Sequence, residues 1–162
     1  MNELKLIKGG LAVDNRGTLS FVNDFDFAGV KRFYIVENHQ PKFIRAWHAH
    51  KLEGKYVMVV KGTAIIPCVK PTEHDWTVDD VCRCSPSHPG RIWNESEIKT
   101  FVMSEKQPAI LYIPPMYANG AMTIESGTKI MYMSTSTIEE SKNDDIRFSA
   151  DYWSQCWTII ER

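Results

Sequence analysis

The sequence predicts an all-β fold, a sandwich or barrel of short strands. Its apolar runs are short, rich in β-branched and aromatic residues, and separated by turn residues, which is typical of strands. The predicted strands cover residues 19–23, 30–36, 56–61, 63–69, 109–113 and 128–135. Lys61-Gly62 lies between two of these runs and predicts a hairpin turn. Pro114-Pro115 ends another run, because proline cannot donate to a strand ladder.

One short helix and one long loop complete the prediction. The helix covers residues 136–142, with Ser136 or Thr137 as its N-cap and Glu139 and Glu140 in its first turn. Residues 70–96 carry prolines and acidic residues with little periodicity, and they predict a long loop or an extra hairpin. Such a loop is either a functional lid or a neutral insertion. With no repeat and no linker, residues 1–162 are predicted to form one domain.

Composition excludes several classes of function. The formal net charge is −1, which gives no general attraction to nucleic acid or to an acidic membrane. No segment approaches the ~18 apolar residues of a membrane span, and the first ten residues lack a signal-peptide pattern. We therefore expect a cytoplasmic protein in which a few placed Arg or Lys side chains bind any anionic ligand.

The four cysteines do not predict a metal site. In a reducing cytosol, Cys68, Cys82, Cys84 and Cys156 are expected to be free thiols. Cys82 and Cys84 form a C-x-C that resembles half of a zinc site. The nearby His74 and His88 have no second C-x-C or paired histidine beside them to complete it.

Residues 44–56 carry the strongest functional signal. In a strand, His48 and His50 lie two apart and share one face. Arg45 and Lys55 are close to them in sequence, and two imidazoles and two cations would be costly in a purely structural core. The alternative, two histidines on a solvent face, fits poorly with the apolar flanks of this segment. We therefore predict a functional cavity here.

His48, His50, Glu53 and the later Gly62 resemble the first motif of the cupins. Many cupins bind a transition metal through two His, a Glu and a third His from a second motif. Here the corresponding segment, residues 113–120, carries Asn119 and no histidine. A first-row metal prefers a fuller ligand set, so the site is predicted to use no metal and no cofactor.

Six segments in order resemble the dTDP-4-dehydrorhamnose 3,5-epimerase family, across about residues 14–152 apart from the loop 70–96. They are Asp14-Asn15-Arg16-Gly17 (D-x-R-G), Ile44-Arg45-Ala46-Trp47-His48 (R-G-x-H, with Ala46 replacing glycine), Gly54-Lys55-Tyr56-Val57 (G-K-x-V), the segment 113–120 (I-P-x-G-x-A-H-G, with Asn119 replacing histidine), Lys129-Ile130-Met131-Tyr132 and Ile146-Arg147-Phe148. Two further segments, Lys31-Arg32-Phe33-Tyr34 and His48-Ala49-His50-Lys51, resemble the sugar-nucleotide 3,4-ketoisomerases.

The resemblance implies a cupin-type jelly-roll β-barrel, usually a homodimer. Its activity would be that of a metal-free isomerase that epimerises C3 and/or C5, the carbons beside the keto group of a nucleotide-linked 4-keto-6-deoxyhexose, with dTDP as the expected nucleotide. Such an enzyme would serve deoxysugar or polysaccharide biosynthesis. The alternatives are a 3,4-ketoisomerase, favoured by the two histidines of the H-x-H, and a non-catalytic sugar-nucleotide binding cupin.

The resemblance also implies roles for individual residues. His48 would be the general base, since imidazole titrates near neutral pH, and Asp151 would orient it. Lys55 would stabilise the enolate oxygen, and Tyr132 would be the opposing acid. His50 would assist on the side of His48.

Substrate binding is assigned in the same way. Arg16 and Arg45 resemble the arginines that contact the diphosphate, although either could instead pair with a carboxylate such as Glu37. Asn119 occupies the position of the second-motif histidine. For the nucleotide base, the candidate aromatic partners are Tyr34, Trp47 and Trp93.

Overall fold

Twelve short strands dominate the computed structural model, which describes residues 2–77 and 98–158. The strands are β1 (Lys5–Lys8), β2 (Gly10–Asp14), β3 (Gly17–Phe21), β4 (Arg32–Glu37), β5 (Ile44–Ala49), β6 (Lys55–Lys61), β7 (Thr63–Val69), β8 (Ile98–Ser104), β9 (Ala109–Ile113), β10 (Ala118–Thr123), β11 (Lys129–Ser134) and β12 (Ile146–Arg147). The helices are α1 (Glu73–Thr77), α2 (Ile138–Asn143) and a 3₁₀ helix (Ser154–Trp157).

The strands pair antiparallel into two five-stranded sheets and a separate hairpin. Sheet one has the order β1-β9-β6-β11-β4 and sheet two the order β12-β5-β10-β7-β8, while β2 and β3 pair with each other as a two-stranded sheet. The predicted all-β fold is confirmed. Within the described residues, however, the strands form two separate sheets and not one closed, hydrogen-bonded barrel.

The main core lies between the two sheets. Val57 of β6, Ile66 of β7, Leu111 of β9 and Ile130 of β11 have no exposed surface and belong to one apolar cluster. Inward and outward residues alternate along β6, as expected for a strand with one buried face. Both sheets contribute side chains to this core. Where the two sheets are open at one end, side chains from one sheet can therefore contact side chains from the other. That residues 1–162 form one domain stays a prediction.

A second, aromatic core covers β5. Trp47 is fully buried and packs edge-on against Trp153, with ring centroids 5.3 Å apart. The backbone N–H of Trp47 donates to the carbonyl of Phe148 at 2.9 Å, which keeps β12 alongside β5. Trp47, a sequence candidate for stacking on a nucleotide base, is therefore a core residue.

The predicted turn and helix are confirmed with small shifts. Gly62 has φ +74°, and a Cβ there would lie 2.4 Å from Thr128 Oγ1, so the turn between β6 and β7 requires glycine. Helix α2 begins after Thr137, whose side chain accepts from the Glu140 backbone while Glu140 caps the Thr137 N–H. No helix of the described residues is long and apolar enough to cross a membrane.

The sequence did not predict every element. The segment predicted as a loop begins with α1, and its remainder, with Cys82, Cys84 and Trp93, lies outside the described residues. Strand β10 was missed because its Asn119 and Gly120 have low strand propensity. Its burial is complete along its length, so its two neighbouring strands enforce the extended conformation. Cys68 and Cys156 are free, as expected.

Candidate active site

A cavity of about 360 Å³ opens between the two sheets beside α2. Sheet two supplies one wall from β5, β10 and β12, and sheet one supplies the other from β4, β6 and β11. The lining residues are Tyr34, Val36, Arg45, His48, His50, Lys55, Asn119, Tyr132, Ile138, Ser141, Lys142, Asp145 and Arg147. The predicted meeting of two imidazoles and two cations in one cavity is therefore what the structure contains.

His48 lies on the sheet-two wall with a carboxylate behind it. Its Nδ1 is 3.7 Å from Asp145 Oδ1, and Asp145 Oδ2 accepts from Arg147 Nε at 2.8 Å. Burial, followed by the charges of Lys55 and Arg147, lowers the pKa of His48 from 6.5 to about 4. Burial acts to raise the pKa of Asp145, but the hydrogen bond and charge of Arg147 outweigh it and lower that pKa. At neutral pH the site thus pairs a neutral imidazole with a carboxylate.

His50 follows β5 directly and is more deeply buried. Its Nδ1 is 3.5 Å from Glu53 Oε2 and 3.9 Å from Asp144 Oδ2. Asp144 also accepts the backbone N–H groups of Lys51, Leu52 and Glu53 at 2.9, 2.7 and 3.1 Å. One carboxylate therefore fixes the short connection between β5 and β6, and burial lowers the pKa of His50.

Lys55 begins β6 on the opposite wall. Its Nζ is 4.0 Å from Glu53 Oε1, whose side chain has no exposed surface. Arg32 Nη2 and Ser134 Oγ donate to the same oxygen at 3.3 and 2.9 Å. Burial lowers the pKa of Lys55, and the charge of Glu53 opposes that shift.

Two stacked tyrosines form the rest of the sheet-one wall. Tyr132 of β11 pairs in register with Tyr34 of β4, and their rings stack with centroids 5.2 Å apart. Burial raises the pKa of Tyr34 to about 12 and raises the pKa of Tyr132 well above its ordinary value. Both phenols are therefore protonated at neutral pH and can donate a proton or a hydrogen bond.

Asp151 does not reach the cavity. It is exposed, and its backbone N–H is 3.4 Å from Ser149 Oγ. The carboxylate near His48 is Asp145, which corrects the sequence assignment. In the sequence, the feature that could have pointed to this carboxylate is the pair Asp144-Asp145 directly before β12. Only the pairing of β12 with β5 shows that Asp145 lies beside His48.

Arg16 also lies outside the cavity. It is exposed in the turn between β2 and β3 and forms an ion pair with Asp14. Both side chains of this ion pair are exposed to water. The pair therefore contributes little to stability. Glu37 pairs with neither predicted arginine; its Oε2 is 3.5 Å from Lys129 Nζ.

Besides Lys55, three cations line the cavity: Arg45, which was predicted, and Arg147 and Lys142, to which the sequence assigned no role. Asn119, the predicted replacement for a third histidine, pairs in register with His48 and donates from Nδ2 to its carbonyl at 3.1 Å. Over residues 2–77 and 98–158, no three His, Cys, Asp or Glu side chains are grouped so that they could hold a metal ion. A metal-free site stays a prediction.

No protein-family profile matches this chain, and no curated protein matches it. Among solved structures, it is similar to the rmlC epimerase of Mycobacterium tuberculosis, with 15% identity and a TM-score of 0.64 over 89% of this chain and 68% of that one. It is also similar to QdtA, a sugar 3,4-ketoisomerase from Thermoanaerobacterium thermosaccharolyticum in complex with TDP, with 18% identity and a TM-score of 0.62 over 94% and 93% of the two chains. A third is ChmJ, a 3'-monoepimerase from Streptomyces bikiniensis in complex with dTDP-quinovose, with 13% identity and a TM-score of 0.64 over 89% and 68%.

The chain has the fold of these enzymes. The predicted cupin fold is thereby confirmed, and the resemblance carried by the six sequence segments is confirmed at the level of the fold. Identities of 13–18% leave the reaction to be argued from the cavity itself.

Proposed function

We propose that this protein is an isomerase that epimerises a carbon beside the keto group of a nucleotide-linked 4-keto-6-deoxyhexose. The observation that carries the proposal is that His48 and Tyr132 line one cavity from opposite sheets. A keto group acidifies the neighbouring C–H bonds. Inverting such a carbon requires a base on one face of the sugar and an acid on the other.

The protonation states support these roles. His48 is neutral and can accept the proton from carbon, and Asp145 then stabilises the imidazolium. Lys55 stabilises the enolate oxygen as a fixed positive charge. Tyr132 is protonated and returns a proton to the opposite face. No metal or cofactor takes part in this proposal.

The nucleotide end of the substrate needs cations. Arg45, Arg147 and Lys142 line the cavity and are proposed to bind the diphosphate. The ligands of two similar structures, TDP in QdtA and dTDP-quinovose in ChmJ, favour a dTDP-linked sugar. We further propose that the protein acts in the cytoplasm, in deoxysugar or polysaccharide biosynthesis.

A 3,4-ketoisomerase is the second candidate. The observation that favours it is that His48 and His50 come from the same end of β5 and both line the cavity. Two imidazoles on one wall suit the transfer of hydrogen between adjacent carbons on one face of the sugar. A binding protein without catalysis is the remaining alternative.

A homodimer is also proposed. Large apolar side chains are exposed on the isolated hairpin, as Leu11, Val13 and Leu19, and on the edge strand β4, as Phe33 and Ile35. Apolar patches of this kind mark interaction surfaces. Light scattering should give twice the chain mass of 18.6 kDa, whereas a monomer at micromolar concentration would contradict the dimer.

The experiment incubates the protein with dTDP-4-keto-6-deoxyglucose in deuterium oxide and determines the position of deuterium by NMR. Epimerisation places deuterium at C3 or C5 with inversion. A 3-keto product with deuterium at C4 would identify the ketoisomerase. Binding without any exchange would overturn both enzymatic candidates.

A further inference from the structure

Glu53 is a buried carboxylate next to the cavity, and its two carboxylate oxygens, Oε1 and Oε2, have different surroundings. Its side chain has no exposed surface. Oε1 accepts from Ser134 and Arg32 and lies 4.0 Å from Lys55 Nζ. Oε2 has no hydrogen-bond partner among the described residues, and His50 Nδ1, equally unpartnered there, is 3.5 Å away.

Holding a carboxylate in this position is costly. A buried charge requires compensation by opposite charges and hydrogen bonds. Arg32 and Lys55 supply the positive charge, but Arg32 is also held by the Ser136 carbonyl at 3.1 Å and by Ser141 Oγ at 2.8 Å. Arg32 therefore has other anchors. The neighbours that depend most on Glu53 are the two that line the cavity, Lys55 and His50.

We propose that Glu53 is a positioning residue that keeps Lys55 charged and holds His50 with Nε2 toward the substrate. Its catalytic consequence rests on the proposed isomerase activity. A hydrogen on His50 Nδ1 directed at Oε2 leaves Nε2 as the lone-pair nitrogen on the far edge of the ring, because a neutral imidazole carries one hydrogen. One buried carboxylate thus connects the two walls of the cavity.

The charges around Lys55 indicate what Glu53 contributes. Burial lowers the pKa of Lys55, and Arg32 adds to this effect, while Glu53, Asp145 and Asp144 oppose it. Among these carboxylates Glu53 contributes most. An uncharged Lys55 could not stabilise an enolate oxygen electrostatically, so the positive charge that the chemistry needs depends on a residue that does not itself line the cavity.

Glu53→Gln tests the proposal, because the amide keeps the shape and the Oε1 acceptor but removes the charge. Glu37→Gln is the matched control, since Glu37 also faces a lysine but is exposed. By NMR, Lys55 should titrate at lower pH in Glu53→Gln than in the unmodified protein. The alkaline limb of the rate profile should move to lower pH, and kcat should fall about 10–100-fold with little change in KM. The control should match the unmodified protein.

Unchanged titration of Lys55 in a folded Glu53→Gln variant would overturn the proposal. If that variant does not fold, the unmodified protein decides: ¹⁵N shifts of His50 should show hydrogen on Nδ1, and hydrogen on Nε2 would overturn the proposal. The two NMR measurements, the titration of Lys55 and the ¹⁵N shifts of His50, need no substrate. They can therefore succeed even if the unmodified protein exchanges no sugar protons, an outcome that would overturn the proposed function alone.

Discussion

The two walls of the cavity respond to the same burial in opposite ways. On the sheet-two wall burial lowers the pKa of His48 to about 4, so the imidazole is neutral and able to accept a proton. On the sheet-one wall burial raises the pKa of Tyr132, so the phenol keeps its proton. Desolvation disfavours the charged form of each group, and the charged form of histidine is the protonated one. Low polarity thus leaves an unprotonated imidazole on one wall and a protonated phenol on the other, which are the protonation states that the proposed reaction requires.

Removing the base should have the largest effect. His48→Asn keeps a polar side chain but cannot accept the proton, so we expect turnover to fall about 10²–10⁴-fold. Titration calorimetry with dTDP should give a Kd close to that of the unmodified protein, because the cations proposed to bind the diphosphate remain. Turnover within a few-fold of normal would show that the base lies elsewhere, with His50 as the next candidate.

Removing the acid should uncouple the two walls. In Tyr132→Phe proton abstraction persists while delivery to the other face is lost. Recovered substrate should therefore gain deuterium at C3 or C5 while inverted product nearly vanishes. Tyr34→Phe is the comparison variant, since Tyr34 stacks on Tyr132 and has a raised pKa of about 12. If Tyr132→Phe leaves inversion intact, Tyr132 is a structural residue and Tyr34 becomes the candidate acid.

Removing the carboxylate beside His48 should have a smaller effect on turnover, and it distinguishes Asp145 from Asp151 as the residue that orients His48. Asp145→Asn should lower kcat about 10–100-fold, as is typical when the partner that orients a histidine is removed. Asp151→Asn changes the exposed residue that the sequence favoured, and we expect normal activity from it. Loss of activity in Asp151→Asn with normal Asp145→Asn would restore the original assignment.

How much of the site the sequence predicts depends on how far apart the contributing residues lie. The shared face of His48 and His50 followed from strand periodicity, and Arg45 and Lys55 were grouped with them because they lie close in the same segment of sequence. Asp145 follows a helix and reaches His48 only because β12 pairs with β5. Periodicity carries no information about such long-range pairing, and the assignment of Asp151 came from the family resemblance and not from a contact that the sequence could show.

The aromatic residues illustrate the same limit for the fold. Trp47 alternates correctly with His48, and strand periodicity places it on the opposite face of β5. In many sheets that face is exposed to solvent. The sequence could not show that aromatic residues near the C-terminus, such as Phe148 and Trp153, cover it here. Tyr132 lies on β11, between β6 and β4 in its sheet, and it belongs with Ile130 to the main core cluster, as expected for alternate residues that point inward.

The smallest effect concerns stability. Because the pKa of His48 falls from 6.5 to about 4 on folding, the unfolded chain binds more protons between these values. Stability should therefore decrease as the pH falls through this window, and the lowered pKa of His50 acts in the same direction. Each kcal/mol lost should lower Tm by about 2–4 °C.

In His48→Asn the decrease in Tm from pH 6.5 to pH 4 should be smaller than in the unmodified protein. His39→Asn, which changes an exposed histidine, should leave the decrease unchanged. An equal decrease in His48→Asn and His39→Asn would mean that burial does not hold the imidazole neutral, and the contrast between the two walls would then lose its physical basis.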